Sequence, residues 1–293
     1  MASRRSKSGS PAEENPALKA AAQNGSFPVV AIGASAGGLE AYTEFFKALP
    51  GDLGMAFVLV QHLDPSHHSL LAEIIAKATK MPVEEVKIGV KIRPNCVYVI
   101  PHNALMAISA GLFTLTPRSR EPGQHLSVNF FMRSLAQERK GRAIGIVLSG
   151  TGADGTLGLE DIKAEGGITF AQDPASAKYD GMPRSAVDSG CVDFVLPPKE
   201  IPKELQRITR HPYVSRQTKA PEIEPSPARE DDFTRIIDQL RRTGGVDFSQ
   251  YKANTIHRRA MRRMVILKLD SLREYAKYLK EHPEERRSCM TMF

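Results

Sequence analysis

Residues 28–50 read PVVAIGASAGGLEAYTEFFKALP. The first part, PVVAIGA (28–34), is apolar throughout, with no polar residue at alternate positions, so a strand here has both faces covered. The last part, GGLEAYTEFFKALP (37–50), sets Leu39, Tyr42, Phe45, Phe46 and Leu49 at helical spacing, and Pro50 ends the pattern. Between them lies a short turn of glycine and alanine around Ser35. A doubly buried strand that feeds straight into an amphipathic helix is the opening unit of a parallel α/β sheet.

The alternation continues along the chain. MAFVLVQ (55–61), AIGIVLS (143–149) and GITFAQ (167–172) read as buried strands. SLLAEIIAKAT (69–79), SVNFFMRSLAQER (127–139) and GTLGLEDIKAEGG (155–167) read as helices. CVYVI (96–100) and LFTLT (112–116) are expected as shorter strands paired to each other. The expected fold class is therefore α/β: a doubly wound, mainly parallel sheet with helices on both faces, plus a small C-terminal all-α module. The expected divisions are a disordered head (1–26), a catalytic domain (27–211), a proline-bearing linker (212–230) and the helical module (231–293).

Composition narrows the function classes. Hydrophobic residues make up 41% and charged residues 25% of the 293, which suits a globular protein with a sizeable core. No apolar run reaches the length of a transmembrane helix, and residues 1–25 lack the apolar centre of a secretory signal. Membrane insertion is thus not expected. Cys96, Cys191 and Cys289 are far apart, which argues against a disulfide framework or a cysteine zinc site and fits a reducing cytoplasm. The formal charge of +7 is unevenly placed: residues 27–211 carry 19 basic and 19 acidic side chains, and residues 212–293 carry 17 and 12. A domain without charge excess offers little to nucleic acid, and none is expected as a partner.

In a parallel sheet, ligands bind at the carboxyl ends of the strands. Three loops leave such ends with chemistry-bearing residues. Gly33-Ala34-Ser35-Ala36-Gly37 is a literal G-x-S-x-G, the pattern of a serine on a sharp strand-to-helix turn. The same turn also suits a glycine-rich phosphate turn or a plain helix start. Gln61-His62-Leu63-Asp64 places His62 directly after a strand, whereas His67 and His68 sit at the start of the following helix. Ser149-Gly150-Thr151-Gly152-Ala153-Asp154-Gly155 follows a third strand, and Asp154 either orients a histidine or caps the helix that follows. A serine needs a base to lose its proton, and the imidazole needs an acid to hold its tautomer, so the set points to nucleophilic catalysis. The chain order Ser, His, Asp differs from that of the usual α/β-hydrolases.

VAIGASAGG, VLVQH, VLSGTGADG and AQDPASAKYDGMPRSAVDSGCVDFVLP occur in that order. Together they closely resemble the catalytic domain of the CheB-type chemotaxis protein-glutamate methylesterases, over roughly residues 27–205. The resemblance implies hydrolysis of glutamate γ-methyl esters on chemoreceptors, with glutamine deamidation in many members, and no cofactor or metal. It implies Ser35 as nucleophile, His62 as general base and Asp154 as orienting acid. Backbone N–H groups at Ala36 and Thr151 are the implied oxyanion donors; the family often has methionine where this chain has Thr151. DGMPRSAVDSG (180–190) is expected as a loop-to-helix segment beside the site, with no catalytic step for Met182 or Arg184. Members of the family carry a phosphoacceptor domain before the catalytic one. About 26 low-complexity residues stand there in this sequence, so phosphorylation in cis is not expected.

The tail resembles the N-terminal helical domain of the CheR-type receptor methyltransferases, through Gly245-Val246-Asp247-Phe248, Tyr251-Lys252, Thr255-Ile256-His257-Arg258-Arg259 and Tyr275 to Leu279. No glycine-rich S-adenosylmethionine loop follows, and RRSCMTMF departs from the family pattern, as a truncated fusion would. Methyltransferase activity is not expected. Arg258, Arg259, Arg262 and Arg263 lie on neighbouring faces of one expected helix. They read either as a solvated face or, by the resemblance, as a contact for the acidic methylation region of a receptor. The competing functional readings are a non-catalytic scaffold that binds a receptor or kinase, and a general esterase acting on small esters.

Overall fold

The computed structural model describes residues 27–61, 70–102, 104–117, 126–211, 227–244 and 253–290. The expected head, most of the expected linker, and His62, His67 and His68 lie outside the described residues.

β1 (Val29–Ala34) is buried along its whole length, and its alternate side chains face two different cores. Val30, Ile32 and Ala34 point to one face of the sheet and Val29 and Ala31 to the other, which is why the strand carries no polar residue. α1 (Gly38–Ala48) follows through a left-handed Gly37 (φ 72°) and buries Ala41, Tyr42, Phe45 and Phe46. Leu39, expected on that buried stripe, is exposed, while its neighbours Gly38 and Ala41 in the first turn are buried. β2 (Ala56–Gln61), α2 (Leu71–Ala78), β3 (Val83–Glu85) and β4 (Val97–Val99) come next. A hairpin of β5 (Ala104–Ser109) and β6 (Leu112–Pro117) then turns at Ala110-Gly111, both at positive φ as a two-residue turn demands. α3 (Ser127–Arg139), β7 (Ala143–Val147), α4 (Thr156–Ala164), β8 (Ile168–Gln172), α5 (Gly181–Asp188), β9 (Phe194–Leu196) and α6 (Ile201–Arg210) complete the domain.

The seven-stranded sheet has the order β3-β4-β2-β1-β7-β8-β9, and all its pairings are parallel. Successive strands run outward from β1 to β2 on one side, and the chain returns to β7 on the other. β1 is therefore the topological switch point, where a doubly wound sheet opens a crevice at its carboxyl edge. One face is covered by α1, α2 and α6, with Phe45, Phe46 and Phe57 meeting edge to face. The other is covered by the hairpin, α3, α4 and α5.

The expected pairing of 96–100 with 112–116 is overturned. Val97–Val99 lies in the main sheet between β2 and β3, and Leu112–Pro117 pairs antiparallel with Ala104–Ser109. Two short apolar runs carry no mark of their partner, and the nearer run with a tight turn takes the hairpin.

The tail forms α7 (Pro227–Gly244), α8 (Ala253–Leu267), α9 (Leu272–Glu281) and α10 (Pro283–Met290). α7 starts at Pro227, inside the segment expected as linker; a proline is well suited to the first turn, where its missing N–H costs nothing. Ser271 and Glu274 close a capping box at the start of α9. Ile236, Leu240, Met264, Val265 and Tyr275 belong to the same apolar cluster as Ile201, Leu205 and Ile208 of α6, so the tail packs on the domain through a shared core. No described helix is long and apolar enough to cross a membrane.

Candidate active site

Ser35 is the first residue beyond β1 and is half-buried. Its N–H donates to the Ser149 carbonyl (3.0 Å) and its own carbonyl accepts from Gly38 N–H (2.9 Å), which closes the sharp turn into α1. The loop after β7 runs beside it. An added Cβ on Gly150 would lie 3.0 Å from the Ser35 Cβ and 2.1 Å from the Met182 sulfur, so only glycine lets this loop pass so near the serine. Gly150 N–H donates to the Tyr179 carbonyl, and Met182 N–H donates to the Gly150 carbonyl, each at 2.9 Å. The 180–190 motif thus forms the expected loop and helix beside Ser35, with Met182 fully buried and Arg184 turned outward to pair with Asp180.

Asp154 is buried, and its role as a cap differs from the expected one. Oδ2 accepts from Val128 N–H and Oδ1 from Asn129 N–H, each at 3.0 Å, so the carboxylate caps α3 rather than its own following helix. The start of α4 is served instead by Asn129, whose Oδ1 accepts from Gly155 N–H (2.9 Å) and Gly158 N–H (2.8 Å). The two helix starts exchange caps, which holds the Asp154 side chain in one orientation. A carboxylate oxygen can accept more than one hydrogen bond.

Gln61 ends β2 in register with Ala34, so the chain leaves β2 at the level where Ser35 leaves β1. The Tyr42 hydroxyl ties these two strand ends, donating to the carbonyl of Ile32 (3.1 Å) or Val60 (3.3 Å). Its burial raises the phenol pKa, so it stays a donor. The expected base, His62, is the next residue and lies outside the described residues. Of the expected oxyanion donors, Ala36 is half-buried and Thr151 exposed, and among the described residues no hydrogen bond occupies either N–H.

The arginine face of α8 is largely taken up inside the molecule, so it is not a uniformly solvated face. Arg262 is fully buried: Nε donates to the Gly167 carbonyl (2.9 Å) and a terminal nitrogen meets Asp193 at 2.5 Å. Arg263 pairs with Glu285 of α10, Arg259 is half-buried, and Arg258 alone of the four is exposed. Helical spacing placed the four on adjacent faces, but it could not show that one face lies against the domain. Gly167 and Asp193 stand at the amino ends of β8 and β9. Gln172, at the other end of β8, is about 16 Å from Gly167 at the rise of a strand. The buried arginine therefore lies at the edge opposite Ser35.

Sequence reasoning passed over Asn129, Ser149 and Gln172. Gln172 accepts from Ser149 N–H (2.9 Å) and donates to the Ser176 carbonyl (3.0 Å). The available signal was a polar residue at the edge of an apolar run: Asn129 among SVNFF, Ser149 after AIGIVL, Gln172 after GITFA.

A serine turn, a glycine-rich loop and a held carboxylate gather at the carboxyl edge of a doubly wound sheet. They define the class: an α/β domain with its site at the switch point. Comparison with known proteins narrows it. The family model described as CheB methylesterase matches residues 30–205, and the chain belongs to that family. A second model, CheR methyltransferase, all-alpha domain, matches residues 231–291. A protein-glutamate methylesterase/protein-glutamine glutaminase of Desulfotalea psychrophila is 34% identical over 62% of this chain and 52% of its own length. An uncharacterized 104.1 kDa protein of Rhodobacter capsulatus is 34% identical over 71% of this chain and 24% of its own. The crystal structure of the Thermotoga maritima CheB methylesterase catalytic domain superposes with a TM-score of 0.59 at 29% identity, covering 62% of this chain and 99% of that one. The chain spans about half the length of the curated methylesterases it matches.

Proposed function

We propose that the chain is a protein-glutamate methylesterase whose substrate is a methylated chemoreceptor or a related sensory protein, and that residues 27–211 form the catalytic domain. Ser35 Oγ attacks the γ-ester carbonyl while His62 takes its proton. The tetrahedral oxyanion turns to the N–H groups of Ala36 and Thr151, and the C–O bond to the methoxy group breaks as His62 gives its proton to the departing oxygen, releasing methanol. Water, deprotonated by His62, then attacks the acyl-serine; the bond to Ser35 Oγ breaks as His62 returns the proton to it, which leaves glutamate and free Ser35. Glutamine deamidation follows the same course with ammonia leaving. Asp154 holds the imidazole tautomer. The cytoplasm, where chemoreceptor methylation regions lie, is the proposed compartment.

The observation that carries this reading is the pairing of Ser35 on a sharp turn with Asp154 immobilised by two backbone N–H groups at the same sheet edge. The name of the Desulfotalea relative supports the substrate class. The test is methanol release from methyl-esterified receptor. Ser35→Ala is expected to abolish it and His62→Ala to reduce it by about 10²–10⁴-fold, the usual worth of a general base. Full activity in Ser35→Ala would overturn the nucleophile. Receptor binding unchanged in Ser35→Ala, with no turnover in the parent, would return the scaffold reading.

A further inference from the structure

Ser149 is almost fully buried, yet its carbonyl and hydroxyl work on the turn at Ser35 and the loop at Tyr179. Its carbonyl accepts the Ser35 N–H at 3.0 Å. Its Oγ accepts from Tyr179 N–H (3.0 Å) and lies 2.9 Å from the Ala36 carbonyl and 3.2 Å from the Tyr179 carbonyl, to one of which it donates. Its own N–H is held by Gln172. A Cβ on Gly37 would fall 2.6 Å from this Oγ, so the hydroxyl is seated directly beneath the turn.

We propose that Ser149 is a positioning residue for the reaction: its hydroxyl and carbonyl clamp the peptide groups on either side of the Ser35–Ala36 peptide, and so aim the nucleophile and the Ala36 N–H at one reacting atom. The Ser35–Ala36 peptide carries the Ala36 N–H, and the Gly38 N–H holds its carbonyl at 2.9 Å. The preceding peptide is held through Ser35 N–H by the Ser149 carbonyl, and the following one through Ala36 C=O, the nearer (2.9 against 3.2 Å) of the two acceptors open to the Ser149 hydroxyl. With both neighbours fixed, the peptide between them cannot rotate its N–H away. Preorganised donors of this kind cost no rearrangement as charge develops. Losing the hydroxyl frees the Ala36–Gly37 peptide at a glycine, the residue least able to resist rotation. Ser149 touches no substrate; it acts through Ser35 and Ala36.

This inference rests on the nucleophile reading of Ser35, and the test separates the two. The full chain is treated with a fluorophosphonate ester. Ser35 Oγ forms the P–O bond, the P–F bond breaks, fluoride leaves, and the serine proton passes to the base. The maximal inactivation rate and the half-saturating concentration are measured for the parent, Ser149→Ala and Ser149→Cys, with melting temperatures alongside. The maximal rate in Ser149→Ala is expected to fall about 10- to 100-fold, up to the loss seen for a misplaced reacting group, with half-saturation within twofold of the parent. Ser149→Cys, of similar size but a weak donor, is expected to fall between the two at near-parent melting, and serves alone if the alanine variant does not fold. Parent-like rates in the variant that folds overturn the positioning role while the nucleophile stands. A parent that takes no label at Ser35 overturns the nucleophile reading itself, and the positioning role with it.

Discussion

Gly150→Ala puts one methyl group where the structure leaves no room for it. The new Cβ would stand 2.1 Å from the Met182 sulfur, 3.0 Å from Met182 Cγ and 3.0 Å from the Ser35 Cβ. Met182 is fully buried and its N–H is bound to the Gly150 carbonyl, so the sulfur cannot swing into solvent. Either Met182 repacks or the loop recoils from Ser35. Overpacking of this kind costs about 1–3 kcal/mol. At about 2–4 °C per kcal/mol for a chain of this class, melting falls by roughly 2–12 °C. Activity suffers more, because a reacting group displaced by about 1 Å loses on the order of 10² in rate. Gly152→Ala is the control. It meets nothing within 4 Å but sits at φ 81°, so it adds backbone strain of about 1–2 kcal/mol without pressing on Ser35. Calorimetry and methyl-ester hydrolysis on the parent and both variants decide the matter. The expected pattern is a similar stability loss in both and a large rate loss in Gly150→Ala only. Parent-like hydrolysis in Gly150→Ala, with stability lowered as calculated, would refute the displacement of Ser35 and show that Met182 alone gives way.

Asn129→Ala strips the acceptor from the buried N–H groups of Gly155 and Gly158, and at about 1–3 kcal/mol per unsatisfied group should lower stability by several kcal/mol and hydrolysis with it, as Asp154 loses its reciprocal support; unchanged melting would contradict the exchanged caps. Arg262→Met leaves Asp193 buried without its cation and should cost about 3–5 kcal/mol, with Asp193→Asn/Arg262→Met costing less than the sum of the single changes; additive losses in denaturant titrations would mean that the pair is not coupled. His211 joins α6 to the tail through the Leu269 carbonyl (3.0 Å), and burial, with Arg207 acting in the same direction, holds its imidazole below the ordinary 6.5. Above pH 6.5 neither the folded nor the unfolded form is protonated there. As the pH falls from 6.5 toward the lowered folded value, only the unfolded form takes up the proton, so stability drops in that window. The melting temperature should therefore fall more between pH 7.5 and 5.5 in the parent than in His211→Gln, and equal falls would refute the assignment.

The strand-turn-helix units were legible because each is written in contiguous residues. VVAIGA is apolar at every position, as a strand covered on both faces must be, and Ser35 follows at the point where the period changes from strand to helix. The glycine loop after IGIVLS announces itself in the same way. Asn129 and Ser149 were not legible as site residues, since a polar residue bordering an apolar run signals a buried partner without saying which one. Arg262 failed for the converse reason. Four arginines at helical spacing look like a solvated face until something packs against them, and the acid that receives Arg262 is Asp193, in another segment of the chain.

Local pattern alone therefore determined the class of fold, the order of its units and the strand-end loops that carry Ser35 and Asp154, because secondary structure and turn chemistry depend on neighbours within a few positions. Tertiary structure decided which strand lies beside which, that Asp154 caps α3 while Asn129 caps α4, and that the tail's buried arginine faces the domain. Those contacts join residues distant in sequence, and periodicity records only that a surface is covered; the covering partner is selected by packing and by the need to pair each buried polar group.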